Sequence, residues 1–151
     1  MKLNLGCGQD IRPDYLNIDI KDNNVENFRV GCVRCIDWIC EDETVEEILA
    51  MDILAYIPPN DLKSTIKNWI SKLQPNGIIK MSIIDLFAVS EAFVRGQAST
   101  DEFIILLFGK VNDQRLSAMD SQMLLSLIEE QGLIIKTKRF DGIIFYVEAQ
   151  K

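Results

Sequence analysis

Leu3 to Ile20 reads LNLGCGQDIRPDYLNIDI. A short run with apolar alternation stops at Gly6-Cys7-Gly8. Eleven residues after Gly8, a second alternating run reaches an acid, Asp19. Glycines at such a stop let the backbone turn sharply and let a ligand approach bare main chain. In the second run Leu16, Ile18 and Ile20 fall on one face at period two, the signature of a strand. The stretch therefore reads as strand, glycine turn, short connection and strand. Gly6 and Gly8 give G-x-G, but the third position of the dinucleotide fingerprint is Ile11. The spacing to the acid is also shorter than the ~20 residues of that pattern. Pro13 leaves space for at most one helical turn, so the loop offers a pyrophosphate little of a helix N-terminus.

Working outward, the chain has 151 residues, 48% of them hydrophobic and 26% charged, the profile of a single globular domain spanning 1–151. Its longest strongly apolar run is FIILLF, Phe103 to Phe108, far below the ~20 residues of a membrane span. With no secretory signal at MKLNLGCG, the expected address is cytoplasmic and no membrane partner is expected. The net charge of −7 argues against a nucleic-acid partner, which needs a basic surface. Of the four cysteines, Cys32 and Cys35 have metal-ligand spacing with Cys40 near by, but there is no histidine. No metal site is expected, and the thiols are read as packing residues, with a redox pair as the alternative.

The pattern of elements predicts the fold. KLNL (2–5), YLNIDI (15–20), VGCVRCID (30–37), a strand at about 47–51 and IIKMSII (78–84) read as strands. Asn60 is a candidate N-cap for a helix whose stripe is Leu62, Ile66, Trp69, Ile70 and Leu73, closed by Pro75 and Gly77. Helices are expected at 86–95 and 101–108, and after Asp120 up to Gly132. The runs 133–140 and 143–149 flank Asp141-Gly142, a hairpin signal. Strands that alternate with helices and end in a hairpin predict an α/β fold. It is a Rossmann-like, doubly wound, mostly parallel sheet of about seven strands with a C-terminal antiparallel β-hairpin and a shortened N-terminus. Ligands in such sheets sit beyond the carboxyl ends of the strands, where the glycine turn lies.

Five segments in this order, KLNLGCG, YLNIDI, EEILAMDILAYIP, WISKLQPNGIIKMSIIDL and the late FGK…MDSQMLLSLIEEQGL, resemble the class I S-adenosylmethionine-dependent methyltransferases. The likeness is to small members that begin KLNLGCG, and it runs along nearly the whole chain. It implies a methyltransferase using S-adenosyl-L-methionine, acting on a small-molecule or glycan-type acceptor. It also implies a cofactor loop at Gly6, Cys7 and Gly8 opened by Asn4, a ribose site at Asp19 and Ile20, and adenine flanked by Asp37 and Trp38. Asp52 would face cofactor and acceptor, with Asp52, Tyr56 and Asp85 as candidate catalytic groups. Ala55-Tyr56 stands where the family has Glu-His, Pro75-Asn76-Gly77 where it has Pro-Gly-Gly, and the N-terminal lid helices are not seen. The alternative is a non-catalytic module with the same fold. There, an apolar face bared by the absent helices would be covered by a second copy in a homodimer.

Overall fold

The computed structural model describes all 151 residues. Its main sheet has seven strands in the order β3-β2-β1-β4-β5-β9-β8. They are β1 (Lys2–Leu5), β2 (Leu16–Asp19), β3 (Phe28–Val30), β4 (Val45–Met51), β5 (Leu73–Ile84), β8 (Ile134–Asp141) and β9 (Ile144–Gln150). β1 to β5 are parallel to one another. β9 runs antiparallel to both β5 and β8. The reversed strand is thus inserted one place in from the edge, and β8 at the edge runs with the parallel set. The Asp141-Gly142 turn joins the last two strands as expected, with Gly142 at positive φ (57°).

Four helices follow β4: α1 (Leu62–Lys72), α2 (Leu86–Val94), α3 (Thr100–Phe108) and α4 (Ser121–Glu129). A two-stranded ribbon, β6 (Gly109–Lys110) and β7 (Asp113–Gln114), lies between α3 and α4. Asp120 caps α4 by accepting from Met123 N–H at 2.8 Å. α1 starts after a 3₁₀ turn at Pro59–Asp61 rather than at an Asn60 cap, and no side chain caps it. Pro59 favours that tighter turn because its ring fixes φ and removes a donor.

One face of the sheet carries the core. Leu3, Leu5, Ile18, Ile48, Ile79, Met81 and Val147 pack there against Leu62, Ile66 and Trp69 of α1 and Leu124 and Ile128 of α4. Burial of this continuous apolar cluster is the main favourable term in folding. The opposite face has no such layer. Leu49, Lys80, Glu148 and Thr137 are aligned across four strands, and Ser82, Tyr146 and Arg139 follow in the next row. They line an open groove of about 500 Å³ to which no helix contributes. Tyr15 donates to Glu47, Lys80 Nζ donates to Glu47 Oε1 at 3.0 Å, and Arg139 stacks on Tyr146. The apolar face that the non-catalytic alternative implies is thus not purely apolar here: Leu49 and Met51 alternate with Lys80, Glu148 and Arg139. Parallel sheets are normally covered on both sides. Alternate charged residues let this one meet water.

The sheet is doubly wound, but the connections after β1, β2 and β3 are loops. The first spans only 6–15, below the usual dozen residues of a parallel crossover. Three asparagine side chains hold it. Fully buried Asn17 accepts from Arg12 N–H at 2.9 Å and from Asn4 Nδ2 at 3.0 Å, and donates to the carbonyls of Arg12, Tyr15 and Asn27. Asn4 also donates to Asp10 O at 2.7 Å, and Asn27 to the carbonyls of Arg12, Pro13 and Tyr15. These amides satisfy backbone groups that a helix would pair internally. Asn17→Ala leaves the Arg12 N–H without its acceptor and is expected to cost about 3 kcal/mol of folding stability, read as a lower midpoint in urea denaturation.

Candidate functional site

The sheet reverses its winding between β1 and β4, and a cavity of about 650 Å³ opens there beyond the carboxyl ends of the strands. This is where ligands bind in open α/β sheets, and the volume suits a small molecule or cofactor. Gly6 and Gly8 form its floor, Asp19, Ile20 and Lys21 one side, Gly31 to Arg34 a second, and Met51 to Ile53 with Tyr56 a third. Asp113 and Leu116, from the segment after β6, complete it.

Each wall follows from local chemistry. Gly6 adopts φ 62°, and a Cβ there would lie 2.2 Å from Ile53 Cδ1. Only glycine permits that approach, which brings the β1 loop against the turn after β4. Gly8 also has positive φ (52°), yet a Cβ on it would meet nothing within 4 Å. Its bare backbone faces open space. The Gly8 N–H donates to Asp19 Oδ2 at 2.9 Å, and Lys21 N–H donates to Asp19 Oδ1 at 3.2 Å. Asp19 thereby ties the glycine loop to the end of β2, and each of its oxygens retains a free lone pair.

Of the sequence-predicted residues, Gly6, Gly8, Asp19, Ile20, Asp52 and Tyr56 come together around the cavity. Asn4 and Cys7 do not line it. Asn4 is buried in the asparagine network. Burial first, and the nearby Asp19 charge second, push the Cys7 thiol up to about 11, so it is an inert packing group.

The two residues expected to flank adenine, Asp37 and Trp38, lie outside the cavity lining. β3 ends at Val30, seven residues before the end proposed for it from the sequence. The strand mouth is therefore Gly31-Cys32-Val33-Arg34, and these residues form the wall. Trp38 packs behind it: a Cβ on Gly31 would be 2.2 Å from Trp38 Cζ2, and Trp38 Nε1 donates to Cys32 O at 3.3 Å. Trp69, fully buried on α1, holds the same wall by donating to Val33 O at 2.7 Å. Asp37 turns away to the Lys72 ammonium, 2.5 Å distant, and accepts from Asn68 Nδ2 at 2.9 Å. Lys72 foremost, then Cys35 and Asn68, hold the Asp37 carboxyl down at about 2. A glycine after the β-branched Val30 was the available signal for the strand end. The CVRC spacing masked it.

Asp85 is also placed elsewhere. It is 1% exposed and caps two helices, accepting from Ala88 N–H at 2.7 Å and from Ser121 N–H at 2.6 Å. A carboxylate spent on two backbone donors is structural, so it is not a candidate base. Asp52 does face the cavity, at positive φ (55°). Both its oxygens accept from Arg115, one at 2.9 Å from Nη1 and the other from Nη2. Arg115 also lies 5.5 Å from the centre of the Tyr56 ring. Local sequence gives no sign of Arg115. It arrives because Leu116 and Ser117 donate their N–H groups to Ala55 O, at 2.7 and 3.1 Å, and Ser117 Oγ donates to Leu54 O. Burial raises the Tyr56 phenol above its ordinary value, opposed by Arg115. Tyr56 therefore stays protonated at neutral pH and acts as a donor. At Cys32, burial raises the thiol, but the Arg34 hydrogen bond at 3.4 Å and charge outweigh it, and the net shift is downward.

The sequence matches no family model and no curated protein. Solved structures do share the fold. The PH0226 protein of Pyrococcus horikoshii aligns with a TM-score of 0.70 at 18% identity, over 99% of this chain and 80% of that one. A SAM-dependent methyltransferase from Archaeoglobus fulgidus aligns at 0.69 and 11% identity, over 99% and 85%. The 1,6-didemethyltoxoflavin-N1-methyltransferase of Burkholderia thailandensis, solved with 1,6-didemethyltoxoflavin and S-adenosylhomocysteine, aligns at 0.66 and 12%, over 99% and 70%. The chain thus has the fold of the class I S-adenosylmethionine-dependent methyltransferases.

Two outcomes follow from this geometry. Gly6→Ala forces Ile53 aside and strains the turn, and is expected to cost about 2 kcal/mol or more, measured by chemical denaturation. Asp37 has a depressed pKa in the folded chain. Its stabilisation is present above the unfolded carboxylate value near 3.9 and is lost as pH falls through about 2. Wild type should lose denaturation midpoint between these pH values more steeply than Asp37→Asn, and equal slopes would refute the Lys72 assignment.

Proposed function

We propose that the cavity binds S-adenosyl-L-methionine and that the chain transfers its methyl group to a small-molecule or glycan-type acceptor. The observation that carries this reading is the Gly8 backbone, bare and facing open space, beside Asp19 at the switch point of this fold. The donor set suits that molecule. With no side chains at Gly6 and Gly8, the amino-acid portion can pack closely against the loop's main chain. Asp19 can accept from ribose hydroxyls through its spare lone pairs, and Val33 with the Cys32 and Arg34 backbone can flank adenine. The cofactor supplies a methyl carbon already activated by a sulfonium.

The protein's work is then alignment and exclusion of water. Both Asp52 oxygens already accept from Arg115. Tyr56 keeps its proton. The chemistry supported is attack by a lone pair that needs no prior deprotonation, such as that of a neutral amine or an ionised oxygen or sulfur. The acceptor atom bonds to the methyl carbon, the carbon–sulfur bond breaks, and its electron pair stays on sulfur. Any surplus acceptor proton leaves afterwards to water. Tyr56, which lines the cavity, would orient the acceptor as a donor, with Arg115 holding Asp52 in place beside it.

The Asp52–Arg115 pair also favours a second reading, in which the site binds the cofactor without transfer. Titration calorimetry separates the cases. S-adenosylmethionine and S-adenosylhomocysteine are expected to bind in the micromolar range, and Asp19→Ala is expected to weaken both at least tenfold. Gly8→Ala should abolish binding yet cost only about 1 kcal/mol in stability, since its new methyl group meets nothing in the fold. No binding in a folded sample would overturn the cofactor assignment. Binding without label transfer to amine, carboxylate, thiol or sugar acceptors would support the second reading.

A further inference from the structure

The α2–α3 hairpin carries more apolar surface than its place in the fold uses. Not one residue of α3 is buried. Its inner side is Phe103, stacked on Phe93 at 4.5 Å, with Leu106 and Leu107 over Ile83 and Ile84. Its outer side bears Asp101, Ile104, Ile105 and Phe108, the three- and four-residue spacing of one helical stripe. Ile104, Ile105 and Phe108 are 47%, 40% and 63% exposed, and Val111 beyond them is 88% exposed. A helix apolar on both sides is ordinarily buried, and a contiguous apolar stripe marks an interaction site more than scattered exposed residues do.

We infer that this stripe pairs with itself in a second copy of the chain. The charges at its ends select that occupant. Asp101 stands at the N-terminal end and Lys110 just past the C-terminal end, and neither forms an ion pair within the chain. Glu102, by contrast, is committed to the capping box with Ser99. A two-fold axis across the stripe lays the two α3 helices antiparallel. The helix itself is about 13 Å long, and Lys110 follows just beyond the Gly109 turn that ends it, so the antiparallel arrangement brings each Asp101 toward the Lys110 end of the other copy while the isoleucines meet at the centre. The helix dipoles also oppose favourably. The interface is isologous and closes on itself. It is a different surface from the helix-free sheet face, which carries Lys80, Glu47, Glu148 and Arg139. The stripe offers a few hundred Å² per copy, less than the roughly 800 Å² of a standard interface, so the dimer is reversible in the micromolar range.

Sedimentation velocity of the whole chain from about 1 to about 200 µM tests this. The expected result is a monomer that becomes a dimer as concentration rises. Ile105→Glu and Phe108→Glu are expected to stay monomeric with unchanged thermal midpoints. Lys110→Glu and Asp101→Lys are each expected to weaken the dimer at least fivefold, and the double exchange to restore it. This charge exchange keeps the test decisive should the glutamate variants fold poorly. A monomer throughout the range, a dimer indifferent to Ile105→Glu, or no rescue by the double exchange would overturn the inference.

Discussion

The contact of Gly6 with Ile53 fixes the geometry on which the site depends. A Cβ at Gly6 would sit 2.2 Å from the Ile53 side chain, so the β1 loop and the turn after β4 are closer than any other residue allows. Two consequences follow from one missing methyl group. The glycine loop closes onto β2 through Asp19, and the turn presents Asp52 and Tyr56 to the same cavity. Arg115 then reaches Asp52 because its own segment is bound to Leu54 and Ala55 of that turn. Glycine flexibility serves here as a packing constraint as well as a backbone one.

The second organising feature is economy of helices. This chain covers one sheet face with α1 and α4 and leaves the other without a helix. Two substitutions of principle make this work. Asparagine amides satisfy the short crossover that a helix would otherwise complete. Alternating Lys80, Ser82, Tyr146 and Glu148 make the other face compatible with water. Both remove the usual cost of an uncovered parallel sheet, which is buried backbone and apolar surface left without partners.

Carboxylates illustrate how tertiary context assigns roles. Asp19, Asp37, Asp52 and Asp85 all follow strands or stand near them, and all read alike in sequence as polar groups at a rim. In the fold one ties a loop, one pairs with a buried lysine, one pairs with an arginine, and one caps two helices. Both oxygens of Asp52 are taken up by the Arg115 guanidinium.

The strand–turn–strand stretch Leu3–Ile20, the amphipathic stripe of α1 and the Asp141-Gly142 turn were legible because each is a local pattern of period, glycine or turn chemistry. They determined the sheet, its approximate strand number, the place of the cavity and the residues at its floor. The end of β3 was misjudged, since an apolar cysteine-rich run satisfies strand and loop alike, and the stretch that lines the cavity is Gly31–Arg34 rather than Asp37 and Trp38. The partners of Asp52, Asp37 and Asp85 were beyond local reading for a different reason. Arg115 is 63 residues from Asp52, and Ser121 is 36 from Asp85. Pairings at such separations are set by how the elements pack, so only the tertiary structure decided which charges meet and which remain free for a ligand.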